Sequence, residues 1–249
     1  MHRAITVVLS LLFSTLVLAH DPAKPPAGAP DAKTVLQKSA EAMSKLKVVA
    51  YDLEYKVSGF FAAFMPSVTG HIVMGKESSD GAKRFRYNAK LQKGDSSEVV
   101  EVTAGADGTT YYLIDDKTKT VHADIDPQVM GKHQHPVEFT LTRELGMARP
   151  FEDVLKGGEV RYERSEKVDD HDCHVVFVQG TTTPGVNWYF SKSDYLPRRV
   201  RFALNGPDGK EGGAGETNIR NFTVEPKLEK DPFALVVPPG YKKTDDFAP

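Results

Sequence analysis

Residues 48–59, "VVAYDLEYKVSG", alternate apolar and polar side chains, and this period of two decides the fold class. Successive side chains of a β-strand point to opposite faces of the sheet. The apolar members of the run therefore share one face: Tyr51, Leu53, Tyr55 and Val57. A strand with one apolar face is typical of an antiparallel sheet that is covered on one side.

Ten further stretches continue this strand pattern, and short turn sequences such as "GADG" (105–108) and "DDKT" (115–118) separate several of them. The glycine-rich stretch 205–215, "NGPDGKEGGAG", predicts a hairpin loop. The predicted strands span residues 67–77, 82–92, 96–105, 108–115, 119–125, 159–170, 172–180, 186–194, 197–205 and 216–225.

Helices are predicted at two places only. Residues 32–46 carry apolar side chains at helical spacing behind Asp31, a good N-cap. Residues 126–157 interrupt the strands with three prolines, and helical stretches are predicted between them, including a short helix over 150–156. Val137, Leu141 and Leu145 share one face of this insertion.

Eleven strands without strand–helix alternation predict a mainly β fold with few helices, an unclosed antiparallel β-barrel with a helical lid. We expect a concave inner face that the helices cover incompletely. The alternation places these side chains on it: Leu53, Tyr55, Val57, Ile72, Met74, Phe85, Tyr87, Val99, Tyr112, Val176, Val178, Trp188 and Phe190.

Residues 59–68, "GFFAAFMPSV", concentrate aromatic side chains between the first two strands. Two interpretations remain open: these side chains plug the end of the core, or they form an apolar lip that contacts a ligand. Methionine adapts its shape to irregular partners, which suits the second interpretation. The side chains concerned are Phe60, Phe61, Phe64 and Met65.

The first nineteen residues combine Arg3, an apolar run and Ala19, the pattern of a secretory signal cleaved after Ala19. The apolar run is shorter than the roughly 20 residues that a retained membrane anchor needs. Residues 20–31, rich in proline and alanine, predict a tether, and residues 32–249 are expected to form one domain. We therefore expect a periplasmic protein.

A net charge of −2 argues against a nucleic-acid partner, since such proteins carry a basic patch. We expect a monomer with no cofactor. The single cysteine, Cys173, excludes an internal disulfide, and its strand context predicts a small core residue rather than a nucleophile. No "GxSxG" or "HExxH" motif occurs, so no catalytic residue is predicted.

Histidines and arginines supply the remaining candidates for chemistry. His171 and His174 fall on opposite sides of one strand, and His133 and His135 lie in a predicted loop, so no metal site is predicted. Three arginines in the stretch "LPRRVR" allow two interpretations, anionic headgroup binding at the rim or solvated charge on a strand, and the second is favoured. They are Arg198, Arg199 and Arg201.

Three stretches resemble the LolA/LolB-like superfamily of periplasmic lipoprotein carriers: "DDHDCHVVFV", "NWYFSKSDYLPRRV" and "DPFALVVPPG". The resemblance extends over residues 32–243 and implies an incomplete barrel with a helical lid that holds lipid acyl chains. It also implies that Trp188, Leu196 and Pro197 are structural. The tether and the loop at 205–215 depart from the carriers, so the resemblance does not identify the cargo.

The sequence therefore predicts a periplasmic carrier of lipoprotein acyl chains or other lipid that performs no catalysis. An envelope protein would act as donor or acceptor of the cargo. The predicted ligand contacts are Leu53, Tyr55, Val57, Phe60, Phe61, Phe64, Met65, Ile72, Met74, Phe85, Tyr87, Trp188 and Phe190. Two alternatives are an envelope sensor of the same fold that acts through a protein partner, and an exported enzyme.

Overall fold

The alternating stretches assemble into one twelve-stranded sheet in the computed structural model. The structure describes residues 28–76, 83–94, 97–125, 143–181, 185–206, 210–228 and 231–245. The predicted signal, the tether up to residue 27, the two loop histidines and most of the predicted helical insertion lie outside these residues. Within them, no helix is long and apolar enough to cross a membrane.

The strands have the following bounds: β1 Val48–Gly59, β2 Ser67–Gly75, β3 Arg84–Gln92, β4 Val99–Asp107, β5 Tyr111–Asp115, β6 Thr120–Asp124, β7 Glu159–Val168, β8 His171–Gln179, β9 Val186–Ser191, β10 Pro197–Asn205, β11 Glu211–Val224 and β12 Lys242–Thr244. The described helices are α1 (Ala32–Ser44), α2 (Glu152–Gly157) and two short 3-10 helices, η1 (Phe60–Ala63) and η2 (Arg143–Leu145).

The strand order is β12-β6-β5-β4-β3-β2-β1-β11-β10-β9-β8-β7. Two antiparallel meanders, β1–β6 and β7–β11, are joined side by side through the pairing of β1 with β11. The result is an open half-barrel, as predicted. The predicted count of eleven strands was one too low, because β12 is a three-residue strand, "KKT", without an alternating pattern, and it pairs in parallel with β6.

The two edges of the sheet differ. β12 covers part of the β6 edge, whereas no strand in the described part of the chain pairs with the outer edge of β7. A register shift between Tyr162 and Arg164 interrupts the β7–β8 ladder. β7 also carries exposed or half-exposed charges along its length, including Glu159, Arg164 and Lys167. A bulge and charged side chains are common protections of a free edge.

Helix α1 forms where the sequence predicted it. The Asp31 side chain accepts a hydrogen bond from the Thr34 backbone N–H at 2.8 Å, which satisfies one of the free donors of the first turn. The Thr34 hydroxyl donates to the same carboxylate at 2.7 Å, and this bond, followed by the backbone bond, lowers the pKa of Asp31. Val35, Leu36 and Met43 are buried against β7 and β8, so the apolar stripe of the helix lies on the sheet.

The face of the sheet beneath α1 is named the inner face and carries the main core cluster. Two predicted members of this face point the other way. Val99 is exposed at the end of β4, where Val102, Ala104 and Ala106 supply the inner side chains. Tyr112 faces outward and donates a hydrogen bond to the Phe233 carbonyl at 3.2 Å.

The β3–β4 pairing accounts for both errors. Tyr87 pairs with Ala104, so the even-numbered residues of β4 face inward, and Gly105, on the other face, pairs with Tyr112. The β4–β5 turn lies at Gly108–Thr110 rather than at "GADG", because the Asp107 carboxylate accepts hydrogen bonds from the Thr109 and Thr110 backbone N–H groups. The stretch 205–215 connects β10 to β11 as a hairpin, as predicted, but its loop is shorter than the whole stretch. Its loop ends at residue 210, and Gly212, Gly213 and Gly215 belong to β11.

These glycines of β11 let aromatic side chains approach the strand. A Cβ built on Gly215 would lie 2.3 Å from Phe202 Cε1 and 2.7 Å from the Tyr55 hydroxyl. A Cβ on Gly213 would lie 2.9 Å from Phe61 Cδ2. Gly213 and Gly215 therefore provide a surface for aromatic packing and are not part of the hairpin loop.

The C-terminal segment 231–245 crosses the outer face. The Asp231 carboxylate accepts from the Phe233 N–H at 3.0 Å and pairs with Arg84 at 2.9 Å. The Phe233 ring is buried against Ala50 and Val73, and the Arg84 guanidinium lies 4.6 Å from its centroid. The Asp-x-Phe motif at 231–233 thus anchors the tail to the centre of the sheet.

Phe233→Ala should destabilise the protein by about 3 kcal/mol, because it leaves a cavity between the tail and the sheet. The measurement is the free energy of unfolding from a urea titration followed by circular dichroism. Val236→Ala is the matched control: Val236 lies in the same segment but is exposed, and its loss should cost less than about 0.5 kcal/mol. Equal losses of unfolding free energy in both variants would show that Phe233 does not anchor the tail.

Gly215→Ala should destabilise the protein by about 2 kcal/mol, because the new methyl group overlaps Phe202 and Tyr55. Gly157→Ala serves as the control, since its nearest neighbour, Thr181 Cγ2, would lie 4.0 Å from the added Cβ. Differential scanning calorimetry of both variants tests the difference. If Gly215→Ala leaves the melting temperature unchanged, β11 does not provide this surface for aromatic packing.

Candidate functional site

The inner face brings most of the predicted ligand contacts together. Nine of them are buried: Leu53, Tyr55, Phe61, Ile72, Met74, Phe85, Tyr87, Trp188 and Phe190. Val57 and Met65 are half-buried and pack against the same cluster. The expected open hollow is thus closed to water at these side chains, which differs from the sequence prediction. A ligand reaches this face only if covering elements move.

Sequence analysis missed Phe151, whose ring covers the aromatic side chains of β9 on the inner face. Phe151 meets Trp188 edge-on, with ring centroids 4.9 Å apart, and it also contacts Phe190. Trp188 and Phe190 stack at 5.7 Å. Phe151 adopts a left-handed backbone conformation with φ of 60°, which is rare for a bulky residue. The sequence did offer one signal for this residue: Phe151 is a large aromatic side chain between Pro150 and a predicted short helix.

The rim segment, residues 59–66, lies where β1 ends. Phe61 is 6% exposed and meets Phe202 edge-on, with centroids 5.2 Å apart, so it plugs the core. Phe60 and Phe64 are 43% and 55% exposed, so they form a lip in contact with solvent. The plug interpretation of "GFFAAFMPSV" therefore holds for Phe61, and contact with a ligand stays a prediction for Phe60 and Phe64.

Local geometry fixes the rim segment. Gly59 has φ of 59°, and a Cβ there would lie 2.0 Å from the Gly212 carbonyl oxygen, so no other residue fits without rearrangement. The Met65 N–H donates to the Phe61 carbonyl at 2.8 Å. The Tyr55 hydroxyl donates to Met65 Sδ at 3.8 Å, and burial raises the pKa of Tyr55 to about 12. Tyr55 is therefore neutral at any physiological pH.

The arginines of "LPRRVR" differ in burial. Arg199 and Arg201 point outward and pair with Glu216, as the favoured interpretation expected of strand charges. Arg198 does not fit that interpretation, because it is buried beside the Phe222 ring and donates to Asp194 Oδ2 at 2.5 Å. The sequence missed this because a register shift separates Pro197 from Arg199 in the β9–β10 ladder.

Cys173 is a core residue, as predicted. It packs with Val168, Val175 and Tyr189 on the outer face, and burial raises the pKa of its thiol to about 11. A thiol with this pKa is protonated at neutral pH and is a weak nucleophile. Among the described residues, no group of three metal-ligating side chains lies close enough together to hold an ion.

Two shallow cavities open on the outer face, with volumes of about 370 and 280 Å³, and they meet at Thr69 and Gly70. Asp52 lines the first of them. Its carboxylate accepts from His71 Nδ1 at 2.8 Å and from Asn221 Nδ2 at 2.6 Å, and the bond to Asn221 is the main cause of its lowered pKa. Because these three residues join β1, β2 and β11, we interpret the group as a bridge between strands.

No protein-family model matches the chain, and no curated protein matches it. Solved structures do match. MucB is 15% identical with a TM-score of 0.49, over 84% of this chain and 64% of MucB, so the chain spans less than two thirds of that protein. MucB from Pseudomonas aeruginosa has also been solved with MucA.

Two further matches cover nearly the whole of the other chain. LprF from Mycobacterium bovis is 12% identical with a TM-score of 0.49, over 83% of this chain and 99% of LprF. A LolA superfamily protein from Nitrosomonas europaea is 9% identical with a TM-score of 0.35, over 83% of this chain and 99% of that one. The half-barrel itself follows from the strand pairing and not from these matches.

Substitutions in the rim segment should distinguish the buried plug, Phe61, from the exposed lip by their effects on stability. Phe61→Ser should destabilise the protein by about 3 kcal/mol, because it empties a buried aromatic site. Phe64→Ser, three residues away on the exposed side, should cost less than about 1 kcal/mol. Urea unfolding monitored by the fluorescence of Trp188, the single tryptophan, measures both. A large loss for Phe64→Ser would show that the lip is part of the core.

Proposed function

We propose that this protein is a periplasmic carrier, formed by residues 32–249, that holds the acyl chains of a lipid or lipoprotein against its inner face. The observation that supports the proposal is the continuity of apolar surface from the buried inner cluster to the exposed rings of Phe60 and Phe64. Met65 connects the two, since it packs on the cluster and belongs to the rim segment. An exposed apolar lip that leads into an apolar interior suits a hydrophobic ligand.

Acyl chains gain free energy simply by leaving water. Each buried methylene contributes about 0.8 kcal/mol, so a chain of ordinary length gains on the order of 10 kcal/mol before ordering costs. Part of this gain must offset the opening of a face that is closed to water. Moderate net affinity follows, which suits a protein that must also release its cargo.

The rim segment is the proposed entrance. It is bounded by Gly59, which has a left-handed backbone, and Pro66, so its ends are conformationally defined while its middle is a single 3-10 turn. Outward rotation of this turn would withdraw Phe61 from its contact with Phe202. The sheet itself would not need to change, because β1 ends where the segment begins and β2 begins just after it.

Native mass spectrometry of the mature protein, purified in a mild detergent-free buffer, tests the carrier proposal. We expect bound lipid in the wild-type protein. Delipidated protein should bind a fatty acid that carries a bromine atom in its chain, with quenching of Trp188 fluorescence, because Trp188 lies on the inner face. Bromine quenches only at short range, so the signal reports occupancy of this face and not of the outer cavities.

Phe60→Ser with Phe64→Ser is the variant that tests the entrance. It should slow the quenching by tenfold or more while the melting temperature changes little, because both side chains are largely exposed. Val236→Ser with Val237→Ser removes two exposed apolar side chains elsewhere and should leave the rate unchanged. Absence of both bound lipid and quenching would contradict the carrier and favour the alternative, an envelope sensor that acts through a protein partner.

A further inference from the structure

Helix α1 covers the β7–β8 side of the inner face, and one of its contacts with the rest of the chain is polar. The helix buries Val35, Leu36 and Met43 against these two strands. Lys38, at an exposed position of the same helix, donates to the Tyr195 hydroxyl at 3.3 Å. Its ammonium also lies 5.2 Å from the centroid of the Tyr195 ring. Tyr195, in the turn between β9 and β10, therefore links α1 to the sheet.

His174 lies next to this link. It belongs to β8 and points to the inner face, because Val176 and Val178, two and four residues further along the strand, are in the main core cluster. Its ring lies between those of Tyr162 and Tyr195, with centroids 5.9 and 6.1 Å away. A displaced His174 ring would therefore displace Tyr195, which is joined to α1.

The surroundings of His174 favour the neutral form of its ring. Its Nδ1 is buried without a hydrogen-bond partner in the described part of the chain. A protonated ring carries an N–H on both nitrogens, so Nδ1 would become a buried donor with no acceptor among these residues. Burial, then Lys192 and Lys38, lower the pKa of His174, so both charges that act on the ring are cations. The Tyr195 ring already faces the Lys38 ammonium, and a second cation beside it would be repelled by the first.

The acidic side chains of the surrounding elements have other neighbours. Asp172 lies on the same face of β8, but it stands opposite Lys167 in the β7–β8 ladder. Asp194, in the β9–β10 turn, pairs with Arg198. Glu41 is exposed on α1. A proton on His174 thus adds a third positive charge beside two lysines.

We propose that protonation of His174 is an acid switch that loosens α1 and uncovers the β7–β8 side of the inner face. The neutral ring packs between the two tyrosines. The protonated ring moves toward solvent, where water accepts from both of its N–H groups, and Tyr195 and α1 lose their position with it. The use of this switch in cargo release rests on the proposed carrier function, whereas the loosening of α1 does not.

The sign of the pH dependence follows from the lowered pKa of His174. When α1 is loose, the ring is exposed and has the ordinary histidine pKa of about 6.5. The closed arrangement therefore keeps its full stability above this value. It loses stability as the pH falls from about 6.5 toward the lower pKa of the closed state, because the loose state then binds the proton more readily. The switch thus acts on the acid side of neutrality.

Hydrogen exchange followed by mass spectrometry tests the switch in the whole protein. Exchange of peptide 32–46, corrected for the intrinsic pH dependence of exchange, should rise by about threefold or more from about pH 8 to about pH 5, relative to peptides from β1 and β11. A one-unit difference in pKa would give about tenfold, and the ring is only half-buried. His174→Gln, which cannot titrate, should abolish the rise. His71→Gln, which changes a histidine of the outer face, is the control and should keep it.

A second variant covers the case in which His174→Gln does not fold. Lys192→Met changes an exposed side chain and removes one of the two cations that act on the ring. It should reduce the rise in exchange by about half, because protonation of His174 then meets less repulsion. Exchange of peptide 32–46 that stays constant across this pH range in the wild-type protein would overturn the switch. A rise retained in full by either folded variant would overturn it as well.

Release of a bound lipid tests whether the switch serves the carrier. The probe is phosphatidylcholine with brominated chains, because its headgroup does not titrate in this range, and recovery of Trp188 fluorescence reports dissociation from the inner face. Release should be about threefold faster at about pH 5 than at about pH 8, and His174→Gln should release the lipid equally fast at both. Equal rates in the wild-type protein would overturn this use of the switch. Failure to bind at either pH would instead overturn the carrier and leave the switch to the exchange experiment.

Discussion

The pairing of β1 with β11 is the constraint on which the rest of the structure depends. It joins residues 48–59 to residues 211–224 and makes one sheet from two meanders that are otherwise separate in the strand order. Tyr55 and Val57 on β1 face inward beside Thr217 and Gly215 on β11, so the same pairing places aromatic side chains over glycine. Without it, the rim segment would have no floor, and Arg198 would lose the neighbouring Phe222 ring.

The two faces of the sheet are stabilised by different kinds of contact. The outer face is held by ion pairs and by the tail, where Arg84 links Asp231 and Phe233. The inner face collects apolar side chains in the main core cluster. Ion pairs and the tail thus stabilise the sheet on the outer face, and apolar packing stabilises it on the inner face.

The period of two was sufficient to predict eleven strands, an antiparallel sheet and eight of the nine buried contacts, because it reports directly which side chains share a face. The ninth, Phe61, lies in η1 and was predicted from the aromatic stretch 59–68. The period failed where the pairing with a neighbouring strand decides the face: the β3–β4 pairing turns Val99 and Tyr112 outward. It also failed where a register shift redirects one side chain, as at Arg198. Phe151 and β12 were missed because their contacts depend on distant parts of the chain. The split between Phe61 and its exposed neighbours likewise depends on β10 and β11.

The β7 edge has a consequence for behaviour in concentrated solution. A half-barrel, unlike a closed barrel, ends in a strand whose backbone groups are available to a second copy, and lateral addition of copies would produce fibres. The bulge at Tyr162–Arg164 and the charges of β7 lie along that edge and disfavour extension of the ladder by a second copy. The open edge of the half-barrel is thus protected within its own strand.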